Sequence, residues 1–208
     1  MRLPRAILLL GFVSLLMDMA SEMLYPIGPI FLTTTLGASM MWLGVIEGVA
    51  EAIAGIGKGY FGMVSDAAGK RRPFVTLGYG LSAMSKPIPA LLATVGGVFS
   101  ARVIDRIGKG IRSAPRDALL AGYTTADNRG AAFGLHRAMD TAGAAIGPVI
   151  ALLYLSFHPG DYSTLFLLAA IPAILAAGAT LLVRETSFTP AVKKPGMMES
   201  LRFWRGAP

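Results

Sequence analysis

The chain has no cysteine among its 208 residues, only two histidines, and a charge at just 15% of its positions. Without cysteine there is no disulfide, no thiol nucleophile and no thiolate metal site. A soluble domain carries roughly 25% charged residues, so the shortage of charge moves the chain out of that class. Catalytic signatures are missing too: there is no zincin helix pattern and no nucleophile elbow. Gly57-Lys58-Gly59 and Gly108-Lys109-Gly110 lack the spacing and the Ser or Thr of a phosphate loop. Gly78-Tyr79-Gly80 mimics the opening of a dinucleotide fingerprint, but it lies inside an apolar run and follows no strand, so it is read as a packing surface. The sequence therefore predicts no enzyme, no resident metal and no cofactor. Met17, Met19, Met23, Met40 and Met41 raise soft-metal transport, but methionine is also common filler in apolar helices.

What is present is apolar. Hydrophobic residues make up 54% of the chain, the mean hydropathy is +0.60, and 25 glycines without a collagen period suit close helix packing in lipid. The pattern predicts an all-α membrane protein with six transmembrane helices, at 6–32, 40–64, 74–94, 98–119, 130–157 and 163–183. Arg2 and Arg5 before Ile7–Leu16 resemble a secretory leader. No small-residue cleavage site follows and the apolar run resumes after Glu22, so this stretch is expected to be the first span. Lys and Arg are absent from the first, third and fifth links. They gather in the others, at Arg2, Arg5, Lys70, Arg71, Arg72, Arg116, Arg129, Arg184, Lys193 and Lys194. The positive-inside rule then puts both termini in the cytoplasm, with a bacterial cytoplasmic membrane as the expected location. The net charge of +7 follows this topology, and no nucleic-acid partner is expected.

Charge inside the spans is the informative feature. Asp18, Glu22, Glu47, Glu51, Asp105 and Asp140 lie there with Lys58, Lys86, Arg102, Arg106, Lys109, Arg112 and Arg137. Each costs at least ~2.5–3.5 kcal/mol at the bilayer centre, which marks an ion, proton or solute pathway. In the second span Glu47, Glu51 and Lys58 fall within about 40° of one another. In the fourth, Arg102, Asp105, Lys109, Arg112 and Arg116 form one stripe about 80° wide. Such stripes should face the bundle interior or a wet cavity. Acid–base pairing between helices is an alternative for any single residue. Prolines at 26, 29, 87, 89, 115, 148 and 172 each remove a helix hydrogen bond and predict bent helices.

The link after the second span reads Gly62-Met-Val-Ser-Asp66-Ala-Ala-Gly69-Lys70-Arg71-Arg72-Pro73. It resembles the cytoplasmic loop motif of the major facilitator superfamily, except that Ala67 stands where the family has a basic residue. Arg102 with Gly108 and Gly110 resembles the family's fourth-helix pattern. Gly143, Gly147 and Pro148 resemble its antiporter motif, although Ala151 and Leu152 replace later glycines. The resemblance covers about residues 1–186 and matches the N-terminal six-helix half, with a 3+3 inverted repeat. It implies that residues 187–208 begin the central cytoplasmic loop, where Met197, Met198, Leu201, Phe203 and Trp204 would lie at the interface. It implies a second six-helix half, on the same or another chain, and a cytoplasmic gate formed by Gly62, Asp66, Gly69, Lys70 and Arg71. The expected function is secondary transport by alternating access, as proton-coupled efflux of a small organic solute. The coupling candidates are Asp18, Glu22, Glu47, Glu51, Asp105 and Asp140. Lys86, Lys109, Arg112 and Arg137 are candidates for holding an anionic group or balancing those acids. A transporter of a metal ion or metabolite, or a non-transporting half-fold scaffold, is the alternative.

Overall fold

The computed structural model of the protein describes residues 4–186. These are helical almost throughout. Helix α1 (Arg5–Leu24) stops at Tyr25-Pro26, and the chain resumes as the short α2 (Ile27–Ile30) and a π-helical turn (Phe31–Thr35). Next come α3 (Met40–Ala68), α4 (Arg72–Ser85), α5 (Ile88–Leu91), α6 (Val95–Gly122), α7 (Arg129–Phe157) and α8 (Tyr162–Thr180). Local chemistry sets several ends. Gly69 adopts φ +63°, which lets α3 stop in a left-handed turn. The Thr94 hydroxyl accepts from Gly97 N–H at 3.0 Å to start α6. The Asp161 carboxylate accepts from Thr164 N–H at 3.2 Å to start α8, and hydrogen bonds from the Tyr154 hydroxyl and Thr164 hold it below the usual carboxylate range.

Among the described residues, four stretches are long and apolar enough to cross a membrane: Arg5–Thr35, Met40–Ala68, Arg129–Phe157 and Tyr162–Thr180. The third and fourth expected spans depart from that form for separate reasons. The expected 74–94 span is broken at Lys86-Pro87 into α4 and α5, because proline removes a donor and clashes with the preceding turn. Helix α6 is long enough at 28 residues but too charged.

Helix α1 packs on α7 and α8, while α6 packs on α3 and α4; the two groups meet where α4 lies on α8. The main core sits at that junction, with Ile7, Leu10, Val13, Met17, Val75, Tyr79, Leu119, Leu120, Ala173 and Ala176 buried. Lipid tails are as apolar as leucine, so helix association here depends on tight packing and hydrogen bonds rather than on escape from water. Glycine supplies the closeness. A Cβ on Gly143 or Gly147 would meet the carbonyls of Leu15 and Met19 on α1. A Cβ on Gly78 would lie 2.6 Å from the Gly108 carbonyl, and one on Gly57 would lie 3.2 Å from the Gly110 Cα. The pairs Gly78–Gly108 and Gly57–Gly110 clamp α6 between α4 and α3. By contrast, α3 and α7 turn Val45, Val49, Ile56, Ile146, Val149, Leu152 and Leu153 outward.

Candidate functional site

Polar side chains on α6 meet those of both flanking helices. On the α4 flank, Lys86 Nζ donates to Asp105 Oδ1 at 3.0 Å and to the Ser21 hydroxyl at 2.9 Å. Both charged side chains are nearly dry, at 5% and 6% exposure. Asp105 therefore pairs with the cation placed at the α4–α5 break. Two turns further along α6, Arg112 donates to the Ser82 hydroxyl and stacks its guanidinium 4.5 Å from the Tyr79 ring centroid.

On the α3 flank the charges form a ladder. Arg102 donates to both carboxylate oxygens of Glu47 at 2.7 Å, in a bidentate pair. Four residues later on each helix, Arg106 Nε lies 3.1 Å from Glu51 Oε1, an ion pair without hydrogen-bond alignment. Glu51 is 61% exposed. A pocket opens beside the first rung, lined by Ser21, Tyr25, Glu47, Lys86, Arg102 and Asp105 among apolar neighbours that include Leu43 and Phe166. The Tyr25 ring lies 5.4 Å from the Arg102 guanidinium.

A third cluster joins α1 to α7. Ser14 donates to Asp140 Oδ1 at 2.6 Å and Arg137 donates to Oδ2 at 3.0 Å. One turn along α1 from Ser14, Asp18 brings its carboxyl within hydrogen-bonding reach of the same Asp140. Arg116 reaches Ser14 from α6 at 3.3 Å and pairs with Asp117 at 3.0 Å. His136 is buried with Nε2 unpartnered among the described residues.

The fourth cluster is the α3–α4 loop. Asp66, misplaced against the dipole at the end of α3, is paired with Arg71 at 3.0 Å. Arg71 also donates to the Ala118 carbonyl of α6 at 3.0 Å. The backbone N–H groups of Arg71 and Arg72, at the start of α4, both donate to Glu185 Oε2 at 3.0 and 2.9 Å. Arg72 reaches the Leu181 carbonyl at 2.7 Å, so it is more than a topology anchor. Lys70 is exposed. Gly62 meets Ala114 across the helix pair, with 3.1 Å left for a Cβ.

The structure thus brings together Glu47, Glu51, Lys86, Arg102, Asp105, Asp18, Asp140, Arg137, Asp66 and Arg71 from the sequence-derived set. Among the described residues no ion pair holds Glu22, Lys58 or Lys109. Gly108, Gly110, Gly143 and Gly147 prove to be contact points between helices, and Pro148 lies inside α7. Sequence reasoning missed Ser14, Ser21, Ser82, Tyr25, Tyr79 and Glu185. Only Ser14, four residues before Asp18, carried a positional signal. The interfacial role expected at Met197–Trp204 lies outside the described residues.

Comparison with known proteins places this arrangement. A protein of Methanocaldococcus jannaschii described as an uncharacterised MFS-type transporter is 37% identical over 183 residues, 88% of this chain and 46% of its own. An uncharacterised protein of Mycobacterium tuberculosis is 31% identical over 146 residues, 70% of this chain and 35% of its own. The chain therefore spans less than half the length of these relatives. Among solved structures, a POT family transporter in complex with a thioalcohol-conjugated peptide superposes with TM-score 0.80 at 19% identity, covering 97% of this chain and 43% of that one. The human organic anion transporter MFSD10 superposes with TM-score 0.70 at 20% identity, covering 95% and 52%. These likenesses show a shared fold. The family model of the Major Facilitator Superfamily matches residues 10–206, and with that match the chain belongs to this superfamily of membrane transporters.

Proposed function

We propose that this six-helix unit is the N-terminal half of a secondary transporter that works by alternating access and couples solute movement to protons. One observation carries the reading. Glu51, Lys58 and Arg137 are exposed on the otherwise apolar α3 and α7, and Lys109 is exposed on the charged α6. Charges at that depth do not face hydrocarbon, so their side of the unit lines a water-filled cavity or meets the second half. The α1–α7 cluster supports the proton component. Two carboxylates sharing one site repel each other, and a single proton relieves the pair, which suits Asp18 and Asp140 to proton exchange.

Packing supports a 3+3 repeat. Exchanging the first three spans for the last three turns the α1–α7 contact into α6–α3 and the α1–α8 contact into α6–α4. All four contacts are present. The orientation follows from charge. Arg5, Lys70, Arg71, Arg72, Arg129 and Arg184 all lie at the helix ends nearest the α3–α4 loop, which we assign to the cytoplasm. At that end Asp66, Arg71 and Glu185 hold the gate.

The test uses the full-length protein in liposomes loaded with a pH-sensitive dye and screened against small organic solutes. At least one of Glu47→Gln, Glu51→Gln or Asp140→Asn should separate solute flux from proton movement. If all three variants respond to a pH gradient as the parent does, coupling through these acids is wrong. Asp66→Asn should lower turnover by about tenfold, the value of one charge-assisted hydrogen bond, while membrane insertion stays intact. Parental turnover would remove its gating role.

A further inference from the structure

The ladder between α3 and α6 has a register that can be followed past its last acid. Glu47 meets Arg102, Glu51 meets Arg106, Gly57 meets Gly110 and Gly62 meets Ala114. The residue numbers rise together, so the two helices run parallel. On α6 the same face continues at Lys109, seven residues after Arg102. On α3 the face that carries Glu47 and Glu51 continues at Ala54 and then Lys58. An acid at position 54 would have made a third rung with Lys109, but alanine stands there. Lys109 instead faces Asp18 and Glu51 at longer range, along with Arg106 and Arg112. Neither lysine forms an ion pair among the described residues, and both are exposed.

The glycine contact fixes how the two lysines sit. Lys58 follows Gly57 and Lys109 precedes Gly110. On parallel right-handed helices in contact, one step forward on one and one step back on the other turn about 100° toward the same side. Both side chains therefore project from one face of the pair, and their Cα atoms differ in depth by only ~3 Å. Lys58 lies roughly 27 Å along α3 from Met40, and Lys109 lies roughly 21 Å along α6 from Val95, so both are well inside the membrane. Two ammonium groups at that depth, on one face and in no ion pair among the described residues, make a place that favours an anion.

We propose that Lys58 and Lys109 bind an anionic group, a carboxylate or a phosphate, of the transported solute. The proposal rests on the transport reading and names the solute's chemical class. Each ammonium offers three donors, and one oxyanion between them takes a bond from each.

The experiment labels the full-length protein with pyridoxal 5′-phosphate, a lysine-reactive aldehyde that carries the anion. The uncharged analogue pyridoxal is run in parallel, with borohydride trapping and peptide mapping by mass spectrometry. The expected result is about tenfold more labelling of Lys58 or Lys109 by the phosphate-bearing reagent, with protection by excess inorganic phosphate or benzoate. Lys58→Gln should remove that preference at Lys109, whereas Lys58→Arg, which keeps the charge, should preserve it. Arg5→Gln, far from the pair, should change nothing. Equal labelling by the two reagents overturns the site, and so does a preference that survives Lys58→Gln. Zero-length cross-linking of either lysine to a carboxylate elsewhere in the protein also overturns it, because a protein acid then fills the place. Solute-linked proton movement without the preference overturns the site alone. The preference without such movement overturns the transport reading and leaves the anion site standing.

Discussion

Helix α6 carries one kind of chemistry into two surroundings. Toward α4 it sets Asp105 against Lys86 in a nearly dry seam, with Ser21 completing the ammonium's bonds. Toward α3 it sets Arg102 and Arg106 against Glu47 and Glu51, with the acids partly or largely exposed. A dry pair gains little over a well-packed apolar pair, yet losing one partner strands the other charge. On the α3 flank each acid reaches water although Arg102 and Arg106 are only 17% and 10% exposed, so losing an acid there strands its partner less completely than in the dry seam. The dry flank is thus suited to holding a bend at Lys86-Pro87, and the wet flank, on the transport reading proposed above, to partners that change.

Four substitutions sharpen that difference, the largest first. Asp105→Asn should destabilise the protein by about 3–5 kcal/mol, read by thermal unfolding in detergent, while Lys86→Met combined with Asp105→Leu recovers most of the loss. A loss below about 1 kcal/mol, the range of exposed pairs, would mean that water reaches the seam. Gly108→Ala pushes a methyl against the Gly78 carbonyl and the Ser82 hydroxyl, and overpacking of this kind costs about 1–3 kcal/mol. Glu47→Gln should cost up to about 1 kcal/mol, because one partner of its bidentate pair is partly exposed. Gly62→Ala on the wet flank should be nearly neutral. There the mild crowding against Ala114 is offset by alanine's preference for helix, about 0.5–1 kcal/mol over glycine. If the wet-flank changes cost as much as the dry-flank ones, the contrast between the flanks fails.

Much of this architecture was legible beforehand. Apolar runs located the helices, because a spanning segment has to satisfy its own backbone and therefore shows as a long unbroken pattern. The loop motif singled out Asp66 and Arg71 without telling that they pair with each other, and the charged stripe of α6 pointed to the face turned toward its neighbours. What a stripe does not tell is which neighbour it meets. Asp105 and Arg102 lie three apart on one helix, yet one pairs with α4 and the other with α3. The break at Lys86-Pro87 had its signal in Pro87 and Pro89, which predict a bend but do not distinguish a bent helix from an interrupted one. Ser21 and Ser82 were invisible, and Ser14 showed only through its place four residues before Asp18, because hydroxyls are common in membrane helices and only the fold chooses which of them a charge will use. Glu185 stood outside every span, where nothing local distinguishes a loop acid from a clasp.

That clasp has a consequence in time. The N–H groups that open α4 find their acceptor in a residue 114 positions later in the chain. A ribosome adding 5–20 residues per second takes on the order of ten seconds to reach it. During that interval Asp66 can already hold the Arg71 side chain, but the N–H groups at the start of α4 wait for their carboxylate until the chain beyond α8 is made. The closing carboxylate is thus a late signature on an early turn, so the newborn protein stays adjustable at the α3–α4 loop until its last described residues arrive.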